Sequence, residues 1–171
     1  MAVEVEGSKY TFHPESDFSH NPLHDLESLW WVGVWFLLCH YRPPHRFEDK
    51  VQRHVKVVKA VAESLFNNGT NILNRHNALL RSDILATSNP KSFPKTVQYL
   101  AVVVHTFRTQ LVEYYKNYKP HDRSFFTPDI YRRCGDLFET TMKSLRDDDT
   151  ELWPLDHIEK HMTYLQKKSG K

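Results

Sequence analysis

Leu29-Trp30-Trp31-Val32-Gly33-Val34-Trp35-Phe36-Leu37-Leu38-Cys39 is an unbroken run of 11 apolar or glycine residues. At 1.5 Å per residue a helix of that length covers about half of a hydrocarbon core. The run therefore reads as a buried central helix and not as a membrane span. Its start is marked by Asn21-Pro22, a capping residue followed by proline at the first helical position, with Asp25 and Glu27 near the positive helix end. Pro43-Pro44 is the expected stop, because proline lacks the donor and disfavours helix in the residue before it. The spacing predicts a helix over about 23–40 that is apolar nearly all round and needs neighbours on every side.

Further along, Val51, Val55, Val58, Ala62 and Leu65 recur at steps of three and four between Glu48 and Phe66, an amphipathic helix. Asn67-Asn68-Gly69 ends it, and Ile72 to Leu85 reads as one or two short helices before the breaker Ser88-Asn89-Pro90. Thr96 to Tyr118 sets Val97, Leu100, Ala101, Val104, Phe107, Leu111 and Tyr115 on one face. Thr127-Pro128-Asp129 opens another helix that runs to the acidic stop Asp147-Asp148-Asp149, and a last one starts near Trp153-Pro154 and ends before Ser169-Gly170. Residues 1–20 show no helical period and read as an irregular lead-in resting on the core through Tyr10, Phe12 and Phe18. No stretch alternates at period two, so the expected fold is all-α, a single helical domain over 1–171.

The composition agrees with a globular domain. Of 171 residues, 40% are hydrophobic and 26% charged, and mean hydropathy is −0.60, which argues against both disorder and a lipid-embedded protein. A net charge of +2 demands neither nucleic acid nor a membrane as partner. The acids Glu4 and Glu6 stand where a secretory leader needs positive charge, so an intracellular, cytoplasmic or nuclear setting is expected. Cys39 and Cys134, 95 positions apart, then read as reduced thiols, and Asn68-Gly69-Thr70 as a turn.

Two short stretches resemble the C-terminal lobe of protein kinases, most closely the fungal-type protein kinases. Met1-Ala2-Val3-Glu4 resembles the M-A-P-E that ends the activation segment, with Val3 for proline. His24-Asp25-Leu26-Glu27-Ser28 before the Trp-rich run resembles the fungal-type form of D-x-W-S-x-G, with Glu27 for tryptophan and Trp30 for glycine. The resemblance covers residues 1–40 by motif and the rest by helical character. It implies a lobe packed around the central helix, and structural positions at Glu4, Asp25 and Ser28. Glu4 would pair with an arginine late in the lobe, for which Arg123, Arg132 and Arg133 are candidates. Asp25 would brace a catalytic loop. A frayed terminus for Glu4 and plain helix capping for Asp25 are the alternatives.

The machinery of phosphoryl transfer is missing from this sequence. Five scattered glycines form no Gly-rich loop, and V-A-I-K, H-R-D-x-x-x-x-N and D-F-G are absent. His121-Asp122-Arg123 has the letters of a catalytic loop in the wrong order, with Thr127 where asparagine would hold magnesium. The expectation is a kinase-like C-lobe remnant or fragment, inactive alone and acting as a protein-interaction module. The alternative is the C-terminal part of an active serine/threonine kinase whose catalytic portion lies upstream or on another chain. No catalytic, cofactor or metal residue is expected here; ATP and magnesium would enter only with such a missing portion.

Other constellations read as structural. His157 and His161 share a helix face but lack a third ligand, His24 beside Asp25 reads as a helix-start residue, and Cys39 beside His40 ends a buried helix where a thiol is inert. Trp30, Trp31 and Trp35 read as core. Lys50, Arg53, Lys56 and Lys59 form a basic stripe, a solvated face or a surface for an acidic partner, without the interleaved aromatics that stack bases. The central helix is expected to leave an apolar patch through which the protein dimerises or binds a protein partner, with neither nucleic acid nor membrane involved.

Overall fold

The computed structural model describes residues 2–41, 44, 46–66, 72–81, 95–120, 122, 128–146 and 153–170. Over these residues the protein is all-α. Seven helices, α1 (Val3–Gly7), α2 (Pro22–Cys39), α3 (Asp49–Phe66), α4 (Ile72–Leu80), α5 (Lys95–Asn117), α6 (Pro128–Arg146) and α7 (Leu155–Lys168), are joined by one antiparallel pair. That pair, β1 (His40–Tyr41) and β2 (Trp153–Pro154), sets His40 opposite Pro154 and Tyr41 opposite Trp153.

Helix α2 begins as its sequence dictates. Asn21 is extended, its side chain accepts the Leu23 N–H, and Pro22 follows at the first helical position. His24 closes the capping box, its Nδ1 accepting the Asn21 N–H at 3.0 Å, a task usually given to glutamate or glutamine. The helix ends at Cys39, where His40 turns extended into β1.

Helices α5 and α3 cover most of α2. Trp30, Trp31, Val34, Leu37 and Leu38 form one buried cluster with Val104, Phe107 and Leu111 of α5 and Val55, Val58 and Leu65 of α3. Trp30 Nε1 donates across to the Val104 carbonyl at 2.9 Å, so the largest core side chain leaves no polar atom unpaired. Gly33 makes this approach possible. A Cβ there would stand 3.2 Å from Val104 Cγ2 and 3.6 Å from the Phe138 ring, so glycine admits α5 and α6 at close range. The Ile158 and Met162 side chains bring α7 into the same core, and Arg108 Nη1 caps the end of α4 through the Leu79 carbonyl at 3.0 Å.

One expectation needs correction. The lead-in is not irregular throughout, because Val3–Gly7 make a helical turn closed by Ser8 at φ 50°, with Tyr10 buried behind it. A single turn is too short to show a period. The last helix starts near Trp153-Pro154 as expected, with Pro154 as the N-cap of α7, and these two residues also form β2. The expected stops at Pro43, Asn67-Asn68-Gly69, Ser88-Asn89-Pro90 and Asp147-Asp148-Asp149, together with 82–85, lie outside the described residues. Among the described residues no helix is long and apolar enough to cross a membrane.

Candidate functional site

The two stretches that resemble kinase motifs meet in space through a buried polar cluster. Glu4 and His24 are both almost fully buried, and His24 Nε2 lies 3.0 Å from Glu4 Oε2. Because His24 Nδ1 already accepts the Asn21 N–H, Nε2 carries the ring proton and donates it to the carboxylate. The other Glu4 oxygen accepts the Thr11 N–H. Next to this pair, Glu27 is wholly buried. Its Oε1 accepts the Val3 N–H at 2.8 Å and Trp31 Nε1 at 2.9 Å, and its Oε2 accepts the Tyr115 hydroxyl at 2.6 Å. Glu27 thereby caps α1 from another helix and ties α1 and α5 to α2. Burial raises its carboxyl pKa, with the Glu4 charge adding to the rise and the three donors opposing it. Burial also pushes the Tyr115 hydroxyl well above its ordinary range, helped by Glu27.

Among the described residues no arginine pairs with Glu4. His24 takes that place, while Arg132 and Arg133 both pair with Asp129, and Arg123 lies outside the described residues. The arginine that reaches α1 is Arg75, which donates to Glu6 at 2.8 Å and lies 4.4 Å above the Trp31 ring. Asp25 is exposed in the first turn of α2, 3.6 Å from His20 Nε2. Ser28 turns its hydroxyl back to the His24 carbonyl at 2.8 Å. Glu4 is thus built into the core, whereas Asp25 stands on an open face.

That face is a second feature of the site. With about 100° of rotation per residue, Asp25, Leu29, Val32 and Trp35 fall in one arc of α2, and Leu29, Val32 and Trp35 keep 41%, 60% and 45% of their surface exposed. The expectation that all three tryptophans are core holds for Trp30 and Trp31 and fails for Trp35. Apolar character all round the helix hides which arc is left uncovered. Beside this stripe, a groove runs between α2 and α3 in two lobes that share Trp35 and Phe66. One, about 260 Å³, is bounded by Ser28, Val32 and Arg75. The other, about 610 Å³, is bounded by Cys39, His40, Lys59, Glu63 and Asp156.

The basic stripe on α3 is divided. Steps of three residues drift by about 60° each, so Lys59 ends on the opposite side of the helix from Lys50. Lys59 pairs with Glu159 of α7 at 2.6 Å, while Lys50, Arg53 and Lys56 face solvent. His161 Nε2 lies 2.9 Å from the Pro44 carbonyl and His157 is exposed. Among the described residues no group of three or more potential ligands gathers for a metal. Cys39 and Cys134 are both unpaired thiols, and burial raises both, Cys134 to about 11, which leaves them poor nucleophiles.

The cluster around Glu27 and the acids of the groove escaped the sequence reading. A glutamate among apolar residues was the one visible sign of the first. Glu63 and Asp156 are 93 positions apart and had none. Comparison with protein-family models, characterised proteins and solved structures finds no match for this chain.

Proposed function

We propose that this protein is a catalytically inactive, kinase-like C-lobe module that acts by binding a protein partner through the open face of α2. The observation that carries the reading is the exposed stripe Leu29, Val32 and Trp35 on the helix around which the core is built. A central helix that keeps such an arc wet forgoes part of the about 1.5 to 3 kcal/mol available per buried side chain, and a contiguous patch of this kind marks an interaction surface. The kinase part of the reading is supported by the sequence motifs at Glu4 and Asp25-Leu26-Glu27-Ser28 and by the contact of Glu4 with the start of α2. Inactivity is supported by the lack of any Gly-rich loop, lysine strand or magnesium motif in the sequence.

The test has two arms on purified protein. Magnesium-ATP is expected neither to bind at millimolar concentration nor to be consumed in phosphoryl transfer. The apolar face is expected to bind a hydrophobic dye, with the signal reduced by Trp35→Ser. Phosphoryl transfer with contaminating kinase excluded would overturn the first half of the proposal, and dye binding unchanged by Trp35→Ser the second.

A further inference from the structure

The two ends of the α2–α3 groove differ in charge in a way that selects its occupant. From Ser28 to Cys39 it follows α2 for about 16 Å, room for about three turns of a partner helix. At the narrow end Arg75 is the cation, and its charge is answered by Glu6. At the wide end three charged side chains face the space, Lys59, Glu63 and Asp156. Lys59 is committed to Glu159 at 2.6 Å, and its ammonium pKa is raised by that bond. Glu63 and Asp156 make no salt bridge of that kind among the described residues, but both act on Lys59 through space, so one ammonium is shared by three carboxylates and this end is acidic on a protein whose net charge is +2. Between the ends, Trp35 and Phe66 form the aromatic wall common to both lobes. An aromatic wall beside carboxylates that outnumber the one lysine among them is the arrangement that holds an alkylammonium or guanidinium group, by ring contact and by charge together.

Resting on the reading of the α2 face as an interface, we propose that its occupant is an amphipathic segment of a partner protein that lays its apolar face along Leu29, Val32 and Trp35 and places a lysine or arginine in the wide end between Glu63 and Asp156. The apolar contacts supply affinity and the carboxylates supply choice of partner and direction.

Two fluorescein-labelled helical peptides of 14 residues test this on the full chain. They share one leucine face, and one is flanked at both ends by arginine, the other by glutamate. The arginine peptide is expected to bind at least about tenfold more tightly at low salt, and the preference to fall below about threefold in E63Q/D156N. Trp35→Ser is expected to weaken both peptides alike. All three side chains are exposed, and circular dichroism melting confirms that the variants fold. Equal binding of the two peptides, tighter binding of the glutamate peptide, or an arginine preference that survives E63Q/D156N would overturn the basic occupant while leaving the interface in place. Binding that ignores Trp35→Ser would overturn the interface itself. Sedimentation showing a dimer that Trp35→Ser dissociates would assign the face to a second copy of the chain and overturn the basic partner.

Discussion

Glu27 is the residue on which the polar interior turns, since one buried carboxylate accepts from three donors on three helices. Glu27→Ala would leave the Val3 N–H, the Trp31 indole and the Tyr115 hydroxyl without an acceptor, and is expected to cost about 3 kcal/mol or more in chemical denaturation. Glu27→Gln keeps all three bonds, because its amide oxygen can accept from Val3 and Trp31 and its amide nitrogen can donate to Tyr115. It removes the titration. The folded carboxyl pKa lies above its ordinary value of 4.5 because the site is dry. The folded state thus holds this proton more tightly than the unfolded chain, and the associated stability is complete below about pH 4.5 and lost as pH rises through the folded value. Stability measured as wild type minus Glu27→Gln is therefore expected to decline over that window and then level off. A difference that is flat or rises with pH would show that the carboxylate is not penalised by burial.

At the scale of the element, α2 carries two faces that a hydrophobicity pattern cannot separate. Trp30 is 1% exposed and Trp35 45%. Trp30→Ala is expected to cost about 3 to 5 kcal/mol in denaturant unfolding and Trp35→Ala less than about 1. Equal losses would mean that the outer arc is covered after all. Gly33→Leu on the inner arc is expected to cost about 1 to 3 kcal/mol by overpacking against Val104 and Phe138. Helices α2, α3 and α5 were legible because apolar residues recur over four or more turns and because Asn21-Pro22 writes a start signal into the chain. The turn at Val3–Gly7 was not, being five residues long, and for His24 the place at the helix start was legible but the capping bond was not, since that bond is usually made by glutamate or glutamine. Lys59 was misplaced with the basic stripe because a spacing of three looks like a stripe in sequence and winds around a real helix.

For the whole molecule, the packing is set by contacts that no local pattern encodes. Trp31 meets Arg75, Glu4 meets His24, and Glu63 and Asp156 share one cleft, each pairing fixed by how the helices assemble and not by neighbours in sequence. The two-residue ladder has the same character, joining His40 to Pro154 across 114 positions. Its consequence is one of timing. A ribosome that has made α1 through α6 has not yet supplied the strand that receives the end of α2, nor the α7 side chains Ile158 and Met162 that complete the core. Closure over such a separation is entropically expensive and belongs late on the folding path. Trp153→Ala is accordingly expected to raise the unfolding rate while leaving the refolding rate nearly unchanged in stopped-flow measurements. The segment from Trp153 to Lys168 thus acts as a clasp, and until it closes the nascent protein leaves open the side of its core that Ile158 and Met162 later fill, within reach of whatever chaperone stands nearest.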